Sequence, residues 1–251
     1  MKLVTVLCST LLLIAGNIVA APAVLVKHGD KYQGYMQLPR LSEVVVAVNG
    51  QPQLYWPAAR LYNTSEEQLV AVESQRKQLL QQLVNLQQYY VQKNEPDLAN
   101  STAQLQQQVG QWQLAEQLLL ALDPDRVRVV PELNPLLRAG HYLLQVAPRP
   151  VNLMVTGLAQ EQTLPLLHAT DAAEYTRLLT RLAGGSKSFL YILPAGKSPI
   201  LAKTGIWNSK RQEIPAGSII FLPFEQRLLP AEFSEINLQI VKLLQHRVVS
   251  E

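Results

Sequence analysis

Residues 151–164 read VNLMVTGLAQEQTL, and this stretch decides the fold. Residues 151–156 form a short, mostly apolar run and 160–164 a more polar one, and the two read as a strand pair around Gly157. Asp171 to Leu182 follows as a helix, with Asp171 near its N-cap and Gly184-Gly185 as its stop. Three further strands are read at Phe189–Leu193, Pro199–Thr204 and Ser218–Leu222. Two strands, a helix and three strands match the order of a β-grasp unit.

Toward the N-terminus the same order appears once more. Two runs within Ala23–Met36 flank Gly29-Asp30, the turn chemistry of a two-residue hairpin. Leu41, Val44, Val45 and Val48 then fit one helical face ending at Asn49-Gly50, although the valines also permit a strand. After Asp123-Pro124-Asp125 the β pattern returns, with strands expected at Arg126–Val130 and His141–Ala147.

Residues 65–120 interrupt that unit. Glutamine dominates, and apolar residues fall at Leu69, Val72, Leu79, Leu83, Leu86 and Tyr90, with Arg76 filling one seam position. A second series runs through Leu98, Thr102, Leu105, Val109, Trp112 and Leu119. Asn94-Glu95-Pro96-Asp97 between them is a helix stop followed by a helix start, so the segment reads as an antiparallel αα-hairpin placed after the first unit's helix. At the other end Phe233, Ile236, Ile240, Leu244 and Val248 line one face of a last helix that begins after Pro230. Docking of that face on the protein, contact with a partner and self-assembly all fit it. Its polar face lacks the lysine and arginine density of an interfacial membrane helix.

The expected organisation is therefore α+β: two tandem β-grasp-like domains over 21–148 and 149–226, the hairpin at about 65–120 inserted in the first, and an amphipathic helix in 227–251. Residues 1–20 read as a cleavable signal peptide: Lys2 gives the positive start, Leu3–Ala15 the apolar segment and Ala20 the small residue at the cleavage site. Cys8, the one cysteine, lies within that segment, so the mature chain is expected to hold no disulfide and no thiolate. No later segment reaches the roughly 20 apolar residues of a membrane span. The formal charge of +3 falls to +2 without Lys2, and the basic residues are scattered, against the stripe a nucleic-acid protein presents. A soluble periplasmic monomer is the expectation.

Catalytic and metal-binding patterns are weak. Gly196-Lys197-Ser198 resembles the end of a phosphate loop, but Tyr191 stands where the first glycine belongs and Pro199 blocks the helix that would follow, so it reads as a turn. His28, His141, His168 and His246 fall in four separate elements with no chelating spacing, and neither a metal nor another cofactor is expected. There is no G-x-S-x-G elbow. Glu66-Glu67 suits a helix start, and Asp123 and Asp125 suit a turn around proline. An enzyme would need acids such as Glu132, Asp171 or Glu225 brought within about 5–10 Å by folding. Trp56, beside Tyr55 and Pro57, and Trp207 are candidate sugar-stacking rings whose alternative is burial in a core or interface. Arg126 and Arg128, alternating on the expected strand, share a side as a surface pair or as part of an anion pocket. Phe233, Ile236, Ile240 and Leu244 are the candidate partner contacts.

These landmarks together resemble the GfcC-like family of periplasmic capsule and exopolysaccharide proteins. The matching pieces are Tyr55-Trp56-Pro57, Leu122-Asp123-Pro124-Asp125-Arg126-Val127-Arg128-Val129, Asn134-Pro135-Leu136-Leu137, Gly140-His141-Tyr142-Leu143, Arg149-Pro150-Val151, Val155-Thr156-Gly157, Trp207-Asn208, Pro215-Ala216-Gly217-Ser218 and Phe221-Leu222-Pro223-Phe224. The resemblance implies a non-enzymatic role in polysaccharide assembly or export, with the polysaccharide or the outer-membrane export machinery as partner. It also marks a departure: family members often carry an arginine in a Thr-Gly-Arg segment before Asp-Pro-Asp, and Gln117 of Ala115-Glu116-Gln117 stands in its place here. Arg126 or Arg128 is then the candidate substitute.

Overall fold

A computed structural model describes residues 21–48, 53–207 and 210–249. The expected signal peptide, the helix stop at Asn49-Gly50 and Asn208 lie outside the described residues. Two five-stranded sheets follow one another along the chain. In the first, β1 (Val24–His28) and β2 (Lys31–Tyr35) form the expected hairpin, with α1 (Leu41–Val48) behind it. The valines of α1 adopt the helix because Leu41, Val44 and Val45 then share one buried face.

The first sheet is completed by β3 (Arg60–Asn63), β4 (Glu116–Leu118) and β5 (Gly140–Gln145), in the order β2-β1-β5-β3-β4 with β1 and β5 parallel at its centre. The second comprises β6 (Asn152–Gly157), β7 (Gln162–Pro165), β8 (Phe189–Leu193), β9 (Ile200–Lys203) and β10 (Ile219–Leu222). Its order, β7-β6-β10-β8-β9, repeats the first strand for strand, again with the first and last strands parallel in the middle. The helix of this second unit is α5 (Ala172–Leu178), held at its start by Asp171, whose carboxylate accepts the Ala173 N–H at 2.9 Å. It stops at Leu178, short of the expected Leu182, and Gly184-Gly185 lies in the turn that follows.

The long helices α2 (Glu66–Gln92) and α3 (Pro96–Gln111) are the expected hairpin, but they connect β3 to β4, a strand pair the sequence pattern did not reveal. The equivalent β8–β9 connection in the second unit is only residues 194–199. Leu119 does not continue the α3 seam; it lies beyond β4 and is 50% exposed. The expected strand at 126–130 is instead a helix, α4 (Pro124–Val129). Asp123 caps it, its Oδ1 accepting the Asp125 and Arg126 N–H groups at 3.0 and 3.2 Å, with proline in the first turn.

Two cores result. One joins Val24, Leu41, Val44, Leu61, Val127 and Leu144. The other unites residues of the second sheet, such as Val155 and Ile220, with Leu83 and Leu105 of the inserted hairpin and Ile240 of α6 (Ile236–Leu244). The apolar seam of the insertion therefore packs on the second unit and the terminal helix. In return the tail beyond α6 runs back to β4: Ala115 N–H donates to His246 O at 2.9 Å and Val248 N–H to Gln113 O at 2.8 Å.

Candidate functional site: a cleft between the two units

Where the units meet, the described residues enclose a cleft of about 590 Å³, and its walls include Arg60, Gln145, Asn152, Met154, Thr163 and Gly217. Its position follows from chain order. Arg60 opens β3, the segment 146–151 links the two sheets, and Gly217 leads into β10 at the centre of the second sheet. Among the described residues no aspartate or glutamate lines it.

Arg60 is the one charged group among the described residues of these walls and is 6% exposed. Its Nη2 donates to the carbonyl of Gly217, a bond that ties one unit to the other. Gly217 can present that carbonyl because it has φ +77° and no side chain: a Cβ there would lie 2.6 Å from the Cβ of Ala58. Desolvation lowers the pKa of the Arg60 guanidinium, though arginine stays charged at any physiological pH. Tyr62, two residues on and facing the same way, is pushed up to about 12 by burial, against the opposing pull of Arg60, and donates its hydroxyl proton to Arg247 O at 2.9 Å.

Behind Arg60 lies a chamber of about 10 Å³, room for a single water, walled in part by Gln117, Lys197, Gln245 and Arg247. Gln117 pairs with Tyr62 across the β3–β4 ladder and is 8% exposed. Its amide is occupied: the nitrogen donates to Gln245 O, the oxygen accepts Gly196 N–H at 2.9 Å, and its own backbone N–H donates to His246 Nδ1 at 3.1 Å. Burial lowers the pKa of His246, in keeping with a neutral ring that accepts a proton donor.

The residues singled out from sequence are not gathered here. Arg126 and Arg128 do not share a side: two residues apart on α4 they diverge by about 200°, and both are exposed away from the cleft. Trp56 packs half-buried against the first core in the turn at 56–58, just ahead of the cleft wall at Ala58. Trp207 stands 99% exposed after β9. Ile236, Ile240 and Leu244 are at most 1% exposed within the second core and Phe233 packs beside them, so the face offered to a partner is turned inward.

The carboxylates are also dispersed. Asp171 caps α5, Glu225 accepts the Lys187 N–H at 3.3 Å, and Glu132 is exposed in the turn at 131–133 of the first unit. Among the described residues no cluster of His, Cys, Asp and Glu suits a metal ion. Gly196-Lys197-Ser198 forms the β8–β9 turn. Arg60 escaped the sequence reading because its strand is only four residues long, begins with arginine and ends with asparagine. The one signal was its place just after Tyr55-Trp56-Pro57.

Comparison with known proteins agrees with the architecture. The model of the capsule biosynthesis GfcC N-terminal domain matches residues 20–149, and that of the GfcC C-terminal domain matches residues 160–249. An uncharacterized protein of Escherichia coli strain K12, YjbG, is 29% identical over 212 residues, covering 82% of this chain and 83% of its own. With both halves matched in order across two tandem α+β units, the chain belongs to the GfcC capsule biosynthesis family.

Proposed function

We propose that this protein is a soluble periplasmic accessory factor in capsule or exopolysaccharide assembly or export, and that it holds a segment of glycan in the cleft between its units without changing it chemically. The observation that carries this reading is the cleft itself. At about 590 Å³ it falls in the usual size range of small-molecule sites, and it combines apolar wall, side-chain amides and one buried cation. Amides satisfy hydroxyls, and apolar side chains meet the C–H faces of sugar rings. Among the described residues no carboxylate stands in its walls, which disfavours the trimming-enzyme alternative, since glycoside hydrolysis ordinarily needs a positioned acid pair. No described helix is long and apolar enough to cross a membrane, which suits a factor that meets polymer or an export machine from the aqueous side.

The test uses an exposed wall residue. Thr163→Trp fills the cleft from β7 without disturbing Arg60 or either core. Cells carrying this variant in place of the wild type are expected to show less surface polysaccharide, and so are cells from which the gene is deleted. Unchanged amount and chain length after deletion would refute the role, and normal polymer with the folded Trp variant would remove the cleft from it.

A further inference from the structure

Arg60 narrows the chemistry of whatever the cleft holds. A guanidinium carries five N–H donors, and among the described residues one of them meets a hydrogen-bond partner, the neutral carbonyl of Gly217. No ion pair among the described residues includes Arg60, and neither the cleft nor the chamber behind it is lined by an acid. Burying a cation without a counter-charge is strongly unfavourable, and arginine cannot escape that cost by losing its proton. A bond to Gly217 O needs only a neutral donor, so the tie between the units does not explain the charge.

The other cations nearby are accounted for differently. Arg247 is matched by Glu161 at 2.7 Å and lies over the Trp112 ring at 5.6 Å, and Lys197 is exposed to solvent. Arg149, on the linker that walls the cleft, is held over the Tyr55 ring at 5.4 Å and adds positive charge to the same region. Positive potential focused in a low-dielectric recess attracts anions.

Resting on the glycan-binding reading above, we infer that the cleft takes an acidic glycan, with a carboxylate or phosphate group of the polymer seated against the Arg60 guanidinium and the adjoining ring lying on the apolar wall near Met154. Arginine's planar fork suits both anions, so the polymer's acid substituent is the shared recognition element.

Calorimetric titration of the purified full chain tests this with three probes of known structure: α-1,4-tetragalacturonate, the same tetramer with its carboxylates reduced to alcohols, and that neutral tetramer carrying a 6-phosphate. At least one acidic probe is expected to bind ten-fold or more tightly than the neutral tetramer, and the preferred acid distinguishes carboxylate from phosphate. Arg60→Gln should abolish the preference and Arg60→Lys should restore part of it, each variant first shown to be folded by its melting transition. If Arg60→Gln does not fold, Thr163→Trp, which leaves the arginine in place, must eliminate binding of the acidic probe; persistence would overturn the proposal. Equal binding of acidic and neutral tetramers would overturn the acidic preference while leaving the glycan reading intact. Binding of none of the three would count against both.

Discussion

Gln108 joins the two halves of the molecule through a single buried amide. Its nitrogen donates to Gly157 O and Ala159 O at 3.1 and 3.3 Å, and its oxygen accepts from Thr156 Oγ1 and Gly157 N–H at 2.7 and 2.9 Å. Gln108→Leu keeps the bulk but strands these partners in a water-poor site, and is expected to destabilise the fold by about 2–4 kcal/mol, read as a lower urea midpoint with unchanged slope. Nothing in the sequence distinguishes Gln108 from the neighbouring glutamines, because its burial depends on α3 packing against β6 of the other unit. Gly217 was quoted as part of a motif, yet its φ of +77° and the 2.6 Å approach to Ala58 are visible only once both units are folded. Gly217→Ala combines backbone strain with that clash, and a loss of roughly 1–3 kcal/mol is expected, measurable as a drop in melting temperature.

Among the elements, α4 shows which local signal prevails when two compete. Residues 126–129 alternate arginine and valine as a half-buried strand would, but Asp123-Pro124 caps and starts a helix, leaving Val127 buried and Val129 79% exposed. Periodicity served well for α2, α3 and α6, where the apolar seams are long, and poorly for four-residue β3. For α6 it gave the face correctly and left its destination open. That destination is set by Asn237, which is buried and clasps the backbone of Phe224 through two hydrogen bonds, accepting at 2.9 Å and donating at 3.0 Å. Asn237→Ala should cost about 1–3 kcal/mol. Truncation before Pro230 removes Ile236, Ile240 and Leu244 from the second core, and is expected to yield a chain that binds a hydrophobic dye and lacks a cooperative melt. A truncated protein that melts sharply would show that α6 is an accessory rather than part of the core.

At the scale of the whole molecule the repeated strand order suggests two separable units, and the packing denies it. The first unit's insertion completes the second unit's core, and the second unit's tail covers the first unit's β4 edge. A single calorimetric transition, with equal calorimetric and van't Hoff enthalpies, is therefore expected in place of two. The tail contact also carries a pH dependence. His246 has a pKa below its usual 6.5 because burial disfavours the charged ring, so the unfolded chain takes up the proton more readily than the folded one. Stability from this group is complete above pH 6.5 and declines as the pH falls below it. His246→Asn keeps an acceptor for the Gln117 N–H and removes the titration, so the loss of melting temperature between pH 7 and pH 5 should shrink. An unchanged loss would place the sensitivity elsewhere.

The exchange of segments also governs how the chain is made. Leu83, Leu86 and Leu105 are synthesised well before Ile220 and Ile240, with which they share a core. Through that interval the two helices of the hairpin have only each other to pack against, and the first unit waits for its last strand-edge cover until the C-terminal residues emerge. Folding must therefore follow completion of the chain rather than proceed unit by unit behind the ribosome.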